Sequence, residues 1–349
     1  MMGRLARTRL GVRLIEFMGH MAPHPDAGVP LLGWDLPSRV VIGAGLDAHH
    51  LGGVALARFG VGILEVGAVT SRGQEGADHV ERDVERASLE YPSAQLSVPL
   101  KALQAHLEPV GVKRLIRLGW ETVDAQLEVM RTLEASADGF TVMPPSGDLE
   151  DWVVHLRRLC AATSKPVLAL IPLILEDSVL ESVIPMLETT GIAGFALLEG
   201  QPSTRGWRLS PTDLEKALQV TRTLRRRSKL PIIGAGGANA PRHALALLEA
   251  GADLVSLHAG LVYSGPGLPK RINAAVASSR PLRPVLLPWN SSWVWFFLLG
   301  CGMIFSGSIV GVVGITRATL PYDEAFLGLT RAQLERSIRT CWTSCVTTA

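Results

Sequence analysis

The stretch that decides the fold is PIIGAGGANAPRHALALLEAGADLVSLHAG, residues 231–260. Two short apolar runs, at 231–235 and 253–258, enclose a segment at 241–250 whose apolar residues follow helical spacing. A strand that is buried on both faces reads as a continuous apolar run, and alternation with helices indicates parallel pairing. The stretch therefore predicts two successive strand-helix units of a parallel α/β protein.

The same unit repeats along most of the chain. Eight units between residues 39 and 277 favour a closed (β/α)8 TIM barrel, which typically takes about 250 residues, over a doubly wound open sheet. We predict this barrel at residues 35–283. The predicted strands lie at 39–44, 61–66, 113–118, 139–143, 167–171, 193–198, 231–235 and 253–258, and the helices at about 51–59, 97–108, 122–135, 149–162, 177–189, 211–228, 241–250 and 268–277.

Composition excludes several classes of protein. Of the 349 residues, 19% are charged and 47% are apolar. The chain contains 34 Lys and Arg and 32 Asp and Glu, so its charges nearly balance. A disordered chain needs the opposite balance, and a nucleic-acid-binding protein needs a concentrated basic face. The 4 Cys are too few and too scattered for a disulfide framework or a zinc site. We therefore predict a folded protein with a small-molecule substrate, without a metal or a nucleic-acid partner.

A second apolar feature lies near the C-terminus. Residues 293–315 carry no charge, and about 20 apolar residues suffice to span a bilayer as a helix. Trp289, Trp293 and Trp295 at one end match an interfacial aromatic belt. A buried core helix is the alternative, but such helices seldom run this long without a charge. We predict a single transmembrane helix at 289–316, followed by a tail at 317–349.

Basic residues set the expected orientation of that helix. By the positive-inside rule, the basic residues that precede it place the barrel on the cytoplasmic side of the membrane. The N-terminal segment, residues 1–34, is a second membrane candidate, because its Arg residues accompany apolar residues at helical spacing. A surface helix packed on the barrel explains this segment equally well, and an Arg-rich transit peptide is a third possibility. The basic residues before the helix are Lys270, Arg271, Arg280 and Arg283.

Two glycine-rich loops carry the strongest chemical signal. The seventh predicted strand ends in Gly234-Ala235-Gly236-Gly237, and the eighth ends in His258-Ala259-Gly260. Glycines allow backbone N–H groups to approach a phosphate, and a following helix N-terminus adds a favourable dipole. Barrels often bind phosphate after strands seven and eight. The glycines could instead only permit tight turns, but two such loops at paired positions favour a phosphate site.

These loops also carry a family resemblance. The segment Leu230–Asn273 closely resembles the C-terminal part of dihydroorotate dehydrogenases, especially the membrane-associated, quinone-using class. VIGAGLDAHH at Val41–His50 and FGVGILEVGAVTSRGQEG at Phe59–Gly76 resemble the first two strand-loop units of that family, and Leu14–Pro23 resembles the segment that leads into its barrel. The resemblance implies an FMN-dependent barrel that oxidises dihydroorotate to orotate in pyrimidine biosynthesis, with a membrane quinone as acceptor.

The resemblance also implies positions for the site residues. It assigns the catalytic base to Ser146, whose hydroxyl needs a relay or a neighbouring base such as Asp148, because its pKa is too high to act unaided. The residue types of Ser146-Gly147-Asp148 themselves favour the alternative, a cap and turn that open the helix at 149. The resemblance places the FMN phosphate against Gly236, Gly237, His258, Ala259 and Gly260, with Ala44, Gly45, Gly67 and Ala68 flanking the flavin.

The middle of the chain departs from the family pattern. Two family lysines are replaced by Ala48 and Leu170, and the family's Asn-Thr pair after strand six reads Leu198-Glu199. The loop after strand four begins at Met143, and the loop at 90–93 lacks Asn. These losses favour an alternative, a divergent barrel that binds FMN or another phosphate ligand without oxidising dihydroorotate. A sugar-phosphate barrel unrelated to flavins is a third possibility, but it does not explain the resemblance at residues 41–76.

Overall fold

The computed structural model describes residues 22–73, 80–93, 96–144 and 149–279, and its central feature is a barrel of eight parallel strands. In chain order the strands are β1 (Val29–Leu31), β2 (Trp34–Leu36), β3 (Val40–Ile42), β4 (Ile63–Thr70), β5 (Glu81–Asp83), β6 (Ser88–Tyr91), β7 (Val98–Pro99), β8 (Lys113–Leu118), β9 (Gly139–Val142), β10 (Val167–Pro172), β11 (Gly194–Leu198), β12 (Gln201–Ser203), β13 (Gly206–Leu209), β14 (Ile232–Ala235) and β15 (Leu254–Leu257).

The barrel closes because its first strand pairs on both sides. The hydrogen-bonded order is β3-β15-β14-β11-β10-β9-β8-β4, and β3 also pairs with β4. All eight strands expected from the sequence are present, which confirms the closed barrel over the open sheet. The strands are rich in Val, Ile and Leu, and β10 and β11 are buried along their whole length. Burial on both faces is the reason that these strands appeared in the sequence as continuous apolar runs.

Helices follow the barrel strands in the expected order. They are α1 (Gly53–Ala57), α2 (Leu100–Gln104), α3 (Val123–Leu133), α4 (Leu149–Ala161), α5 (Asp177–Glu188), α6 (Asp213–Arg227), α7 (Pro241–Glu249), α8 (Ala259–Ser264) and α9 (Leu268–Ser279), with short 3-10 turns at Pro25–Ala27 and Glu134–Ser136. Local interactions determine where two of these helices begin. The Thr122 hydroxyl accepts a hydrogen bond from the N–H of Ala125 at the start of α3, and Pro241 occupies the first turn of α7.

A two-stranded hairpin covers the amino-terminal end of the barrel. Strands β1 and β2 pair antiparallel, and Leu36 packs with the first residues of several barrel strands, including Ile63 and Leu115. Val29, Leu31 and Trp34 pack against the same cluster. The hairpin therefore closes the end of the barrel that lies opposite the carboxyl ends of the strands.

A second, four-stranded sheet was not predicted. Strands β5 and β6 are inserted after β4, and β12 and β13 after β11, and together they form an antiparallel sheet in the order β12-β13-β6-β5. Both insertions leave from carboxyl ends of barrel strands, so the sheet lies at that end. The Tyr263 hydroxyl of α8 joins the sheet to the barrel by donating to the carbonyls of Asp83 and Ser88.

The predicted membrane segments lie outside the described residues. This holds for the helix at 289–316, for the tail at 317–349 and for residues 1–21 of the N-terminal segment. Within the described ranges, none of the helices is both long and apolar enough to cross a bilayer.

Candidate active site

A cavity opens at the carboxyl ends of the barrel strands, where barrel enzymes place their chemistry. It takes in about 750 Å³ of empty space, open solvent at its mouth included. Barrel strands form its walls, and the four-stranded sheet covers part of it through Tyr91, Trp207 and Leu209. The other lining residues are Gly43, Ala44, Gly45, Ala48, Gly67, Ala68, Ser93, Leu96, Ser97, Val98, Arg117, Met143, Leu197, Leu198, Glu199, Ala235, Ser256 and His258.

Small residues form one wall of this cavity. Ala44 and Gly45 follow β3, while Gly67 and Ala68 lie within β4, and all four line the cavity. A β-carbon on Gly45 would lie 2.9 Å from Nε2 of His258, and Gly45 has a φ of +98°. Only glycine fits such a position without strain. The wall thus leaves room for a flat ligand close to the backbone.

The glycine loops, which we define as residues 234–237 and 258–260, follow β14 and β15. Gly236 and Gly237 have φ values of +125° and +66°. A β-carbon on Gly237 would lie 2.5 Å from the Pro211 carbonyl oxygen, so this glycine is needed first for packing against the start of α6. Among the described residues, no group accepts a hydrogen bond from the N–H of Gly236 or Gly237. These two N–H groups remain available to a ligand.

The two glycine loops contact the cavity differently. Ala235 and His258 line it, whereas Gly236, Gly237, Ala259 and Gly260 are not part of its lining within the described structure. Ala259 and Gly260 begin α8, where the first N–H groups of a helix have no acceptor inside the helix. A β-carbon on Gly260 would meet the Ala238 carbonyl oxygen, so the two loops are in direct contact. Their unpaired N–H groups therefore belong to one neighbourhood beside the cavity.

His258 is the polar residue that joins these loops to the cavity. Its Nε2 lies 3.3 Å from the Tyr91 hydroxyl, and the two rings meet edge to face. Its Nδ1 is buried and has no hydrogen-bond partner among the described residues. Burial and the Arg117 charge lower the pKa of His258 to about 4, so the imidazole is neutral at physiological pH. A neutral ring with an unpaired nitrogen is a further contact for a polar ligand.

A buried ion pair crosses the floor of the cavity. Arg117 of β8 donates from Nε and Nη2 to the two carboxylate oxygens of Glu65 on β4, at 3.0 and 2.6 Å. Glu65 also accepts from the Thr141 hydroxyl at 2.6 Å and from the Ala44 N–H at 3.1 Å. Burial raises the pKa of Glu65, but the Arg117 charge and these hydrogen bonds outweigh it and lower the pKa below its usual range. The pair therefore stays ionised beneath the ligand space.

Glu199 supplies a second carboxyl group to the cavity. It directly follows β11, and its backbone carbonyl accepts a hydrogen bond from Nε1 of Trp207 at 3.0 Å. Burial, together with the charges of Asp213 and Glu65, raises its pKa to about 8, although Arg117 acts in the opposite direction. Glu199 is therefore mostly protonated at neutral pH.

Comparisons with known proteins agree with this architecture. The family model for dihydroorotate dehydrogenase matches residues 209–279, which contain both glycine loops. The quinone-type dihydroorotate dehydrogenase of Chloroflexus aurantiacus is 29% identical over 323 residues, which cover 78% of this chain and 87% of that protein. The corresponding protein of Thermobifida fusca is 26% identical over 321 residues, covering 79% and 82%.

The chain is similar to quinone-type dihydroorotate dehydrogenases over more than three quarters of its length. The resemblance inferred from the sequence is thereby confirmed. The crystal structure of DHODH from Eimeria tenella in complex with ferulenol superposes with a TM-score of 0.65 at 16% identity, covering 76% of this chain and 89% of that one. At that identity the superposition supports the fold alone.

The departures from the dihydroorotate dehydrogenase pattern cluster in the site. Ala48, Met143 and Leu198, which we call the apolar arc, line the cavity, and none has a side-chain group that can hydrogen bond to a ligand. Leu170 is fully buried in the barrel interior and packs in the same cluster as Met143 and Leu198. Met143, Leu170 and Leu198 lie on or directly after the adjacent strands β9, β10 and β11, whereas Ala48 follows β3, which lies across the barrel from β10.

Sequence reasoning identified some site residues and missed others. Ser146 lies in residues 145–148, outside the described structure, so its catalytic role remains a prediction. Glu65 and Arg117 were missed, although a charged residue inside each of two apolar runs, ILEV and LIRL, was a usable signal. Tyr91 and Trp207 had no comparable signal, since they reach the cavity only through the unpredicted sheet.

Proposed function

We propose that this protein is an FMN-dependent oxidoreductase of the dihydroorotate dehydrogenase type, which oxidises dihydroorotate to orotate with a quinone as acceptor. The observation on which this rests is the cavity at the carboxyl ends of the strands, with the unpaired N–H groups of Gly236 and Gly237 beside it. The relatives of the chain bear the name of this quinone-dependent activity. The reaction belongs to pyrimidine biosynthesis.

The residues present fit FMN. The N–H groups of the glycine loops, at Gly236, Gly237 and His258–Gly260, would hold its phosphate. Ala44, Gly45, Gly67 and Ala68 would flank the ring, because they leave a wall without bulky side chains. When bound, FMN supplies the hydride acceptor and passes the electrons on to the quinone. At the cavity floor, Glu65 and Arg117 provide a buried pair of opposite charges in a fixed arrangement.

Proton removal from the substrate is assigned to Ser146 in this proposal. Its loop begins after Met143, which is buried in the cavity wall, so the loop starts at the ligand space. A serine hydroxyl needs a neighbouring base to accept its proton, and Asp148 is the candidate. The other reading, a cap and turn ahead of α4, predicts that replacing Ser146 by Ala lowers stability without slowing flavin reduction.

One observation, the apolar arc, supports a second candidate function. The apolar arc offers no side-chain donor to the polar edges of dihydroorotate, and a buried polar group left without a partner costs about 1–3 kcal/mol. Three such losses, even if only partly additive, would weaken binding roughly a thousandfold or more. The alternative is therefore a flavin- or phosphate-binding barrel whose substrate is less polar or differently charged than dihydroorotate.

Two measurements on one preparation separate these functions. Purified protein should show the visible absorption of flavin, and its absence would favour a sugar-phosphate barrel. Anaerobic mixing with dihydroorotate then tests the reaction through bleaching of the flavin. We expect slow bleaching that needs roughly millimolar substrate, because of the donor losses described above. Rapid bleaching at about micromolar substrate would contradict that expectation, and bound flavin without bleaching would favour the second function.

Membrane attachment is the remaining part of the proposal. A quinone acceptor partitions into lipid, and the uncharged residues 293–315 would anchor the chain as one helix, with the barrel on the cytoplasmic side. Deletion of everything after Leu287 should release most of the protein into the soluble fraction, apart from weak interfacial binding through the Arg-rich N-terminus. Recovery of full-length protein without detergent would contradict the anchor.

A further inference from the structure

Glu199 combines a fixed position with an unpaired side chain. It lies at the end of β11, and the hydrogen bond from Trp207 to its backbone carbonyl ties it to the four-stranded sheet. Among the described residues, none donates a hydrogen bond to its carboxyl group. The cation on the cavity floor, Arg117, is already engaged by both oxygens of Glu65. The Glu199 carboxyl group therefore belongs to the cavity lining and has no hydrogen-bond partner in the part of the chain that the structure describes.

The surrounding charges keep a proton on this group. Burial is the largest cause of its raised pKa, followed by the charge of Asp213, which begins α6, and Glu65 on β4 adds to it. Arg117 on β8 opposes them. Tyr91 on β6 has its pKa raised by burial and by Glu199, and His258, which follows β15, is neutral. A protonated carboxyl group can donate one hydrogen bond, whereas a carboxylate can only accept.

We propose that Glu199 is a substrate-contacting residue whose protonated carboxyl group donates a hydrogen bond to an oxygen of an anionic substrate. This inference rests on the proposed function, in which the substrate and product carry a carboxylate. Glu199 stands where the family pattern has the second residue of an Asn-Thr pair, and its neighbour Leu198 in the apolar arc offers no donor. Glu199 thereby supplies a donor that the rest of this wall lacks.

The consequence is a proton linkage that the family's neutral Asn and Thr would not show. Once Glu199 ionises, it loses the donor and repels the anion, so binding requires that the carboxyl group keep its proton. Affinity should therefore be constant at neutral pH and fall about tenfold per pH unit above the Glu199 pKa of about 8.

The test is calorimetric titration of the flavin-loaded protein with orotate, from about pH 6.5 to about pH 9, a range that brackets this pKa. Glu199→Gln retains an N–H donor but cannot titrate, so it should bind orotate at the low end of the range and lose the decline. Glu199→Leu should bind about tenfold or more weakly than the wild type at the low end of the range, because it removes the donor, and it should also lose the decline.

Two further variants identify the titrating group. Asp213→Asn removes a negative charge that raises the Glu199 pKa, so the decline should begin at lower pH. Glu215→Gln makes the same type of change at an exposed position on α6 and should reproduce the wild-type profile. A wild-type profile without decline, or a decline that persists in Glu199→Gln, would overturn the inference.

Failure of the proposed function gives different results. Protein that holds no flavin, or whose flavin dihydroorotate does not bleach, contradicts the function itself. Flavin-loaded protein that does not bind orotate at about pH 6.5 overturns both proposals, because no anion then reaches Glu199. Normal bleaching by dihydroorotate together with a pH profile that Glu199→Gln leaves unchanged overturns only the role of Glu199.

Discussion

The glycine loops lie beside the cavity that the apolar arc lines, and the two regions differ in what constrains them. In the glycine loops, a β-carbon on Gly237 or Gly260 would collide with backbone carbonyl oxygens, so the chain's own packing requires these residues. In the apolar arc, neither Met143 nor Leu198 has a positive φ, and both are held by side-chain packing in the barrel cluster. A backbone cradle is therefore retained by the packing of the fold, while polar contacts to a substrate can change independently of it.

The largest expected effect comes from breaking a glycine loop. In Gly236→Val the β-carbon would lie 2.9 Å from Cβ of Ala217, at a φ of +125° that β-branched residues do not adopt. We expect loss of bound flavin and a lower melting temperature, measured by absorbance and thermal unfolding.

The matched control is Gly33→Val in the β1-β2 hairpin. Gly33 also has a positive φ, of +77°, but has nothing within 4 Å of a β-carbon and lies at the opposite end of the barrel. It should lose some stability and retain flavin. If Gly236→Val holds flavin at wild-type occupancy, the phosphate site is elsewhere.

The ion pair beneath both regions should give the next largest effect. Arg117→Met would leave Glu65 as an unpaired buried carboxylate, which typically costs about 3–5 kcal/mol of stability. Urea unfolding measures this loss. Adding Glu65→Met should recover much of it, because no uncompensated charge then remains.

An exposed ion pair provides the comparison for that result. Nη1 of Arg205 lies 2.9 Å from Oε2 of Glu81, and the two side chains are 73% and 69% exposed. Arg205→Met should change stability by only about 0–1 kcal/mol. Equal losses at the two pairs would contradict a buried, ionised pair in the cavity floor.

A smaller effect is expected on the pH dependence of stability, through His258, which joins the glycine loops to the cavity. Its pKa is lowered from 6.5 to about 4 in the folded protein, so between these values the unfolded chain binds a proton that the folded chain does not. Stability should therefore fall as the pH drops from 6.5 towards 4, by at most about 3 kcal/mol from this group.

Replacement by Gln isolates that contribution. Thermal unfolding of His258→Gln should show a shallower loss of stability over this pH range than the wild type does. The control is His24→Gln, because the His24 side chain is half-exposed and lies far from His258 in the sequence. This variant should leave the pH dependence of stability unchanged. An unchanged profile in His258→Gln would mean that the imidazole is not buried as a neutral ring.

The smallest expected effect is a gain in the apolar arc. Leu198→Asn places a donor at the wall of the cavity, and one satisfied hydrogen bond to a buried polar group is worth about 1–3 kcal/mol. Orotate affinity of the flavin-loaded protein should rise about tenfold, measured by titration. Leu198→Met is the control of similar size and should change little. No gain in Leu198→Asn would indicate that the ligand does not reach this wall.

The sequence by itself determined the barrel and the places of its strands. Residues 231–260 could be interpreted because buried parallel strands and their helices have different periodicities, and all eight strands appeared where this pattern predicted them. The glycine loops and the wall formed by Ala44, Gly45, Gly67 and Ala68 were also predictable, since carboxyl ends of parallel strands meet at one end of a barrel.

Only the tertiary structure decided which polar groups meet in the cavity. Tyr91 and Trp207 reach it through a sheet assembled from two insertions more than a hundred residues apart, a pairing that no local pattern encodes. The Glu65–Arg117 pair depends on the register of two neighbouring strands. The proton on Glu199 depends on burial and on charges from other elements, and the dielectric environment that sets its pKa exists only in the folded chain.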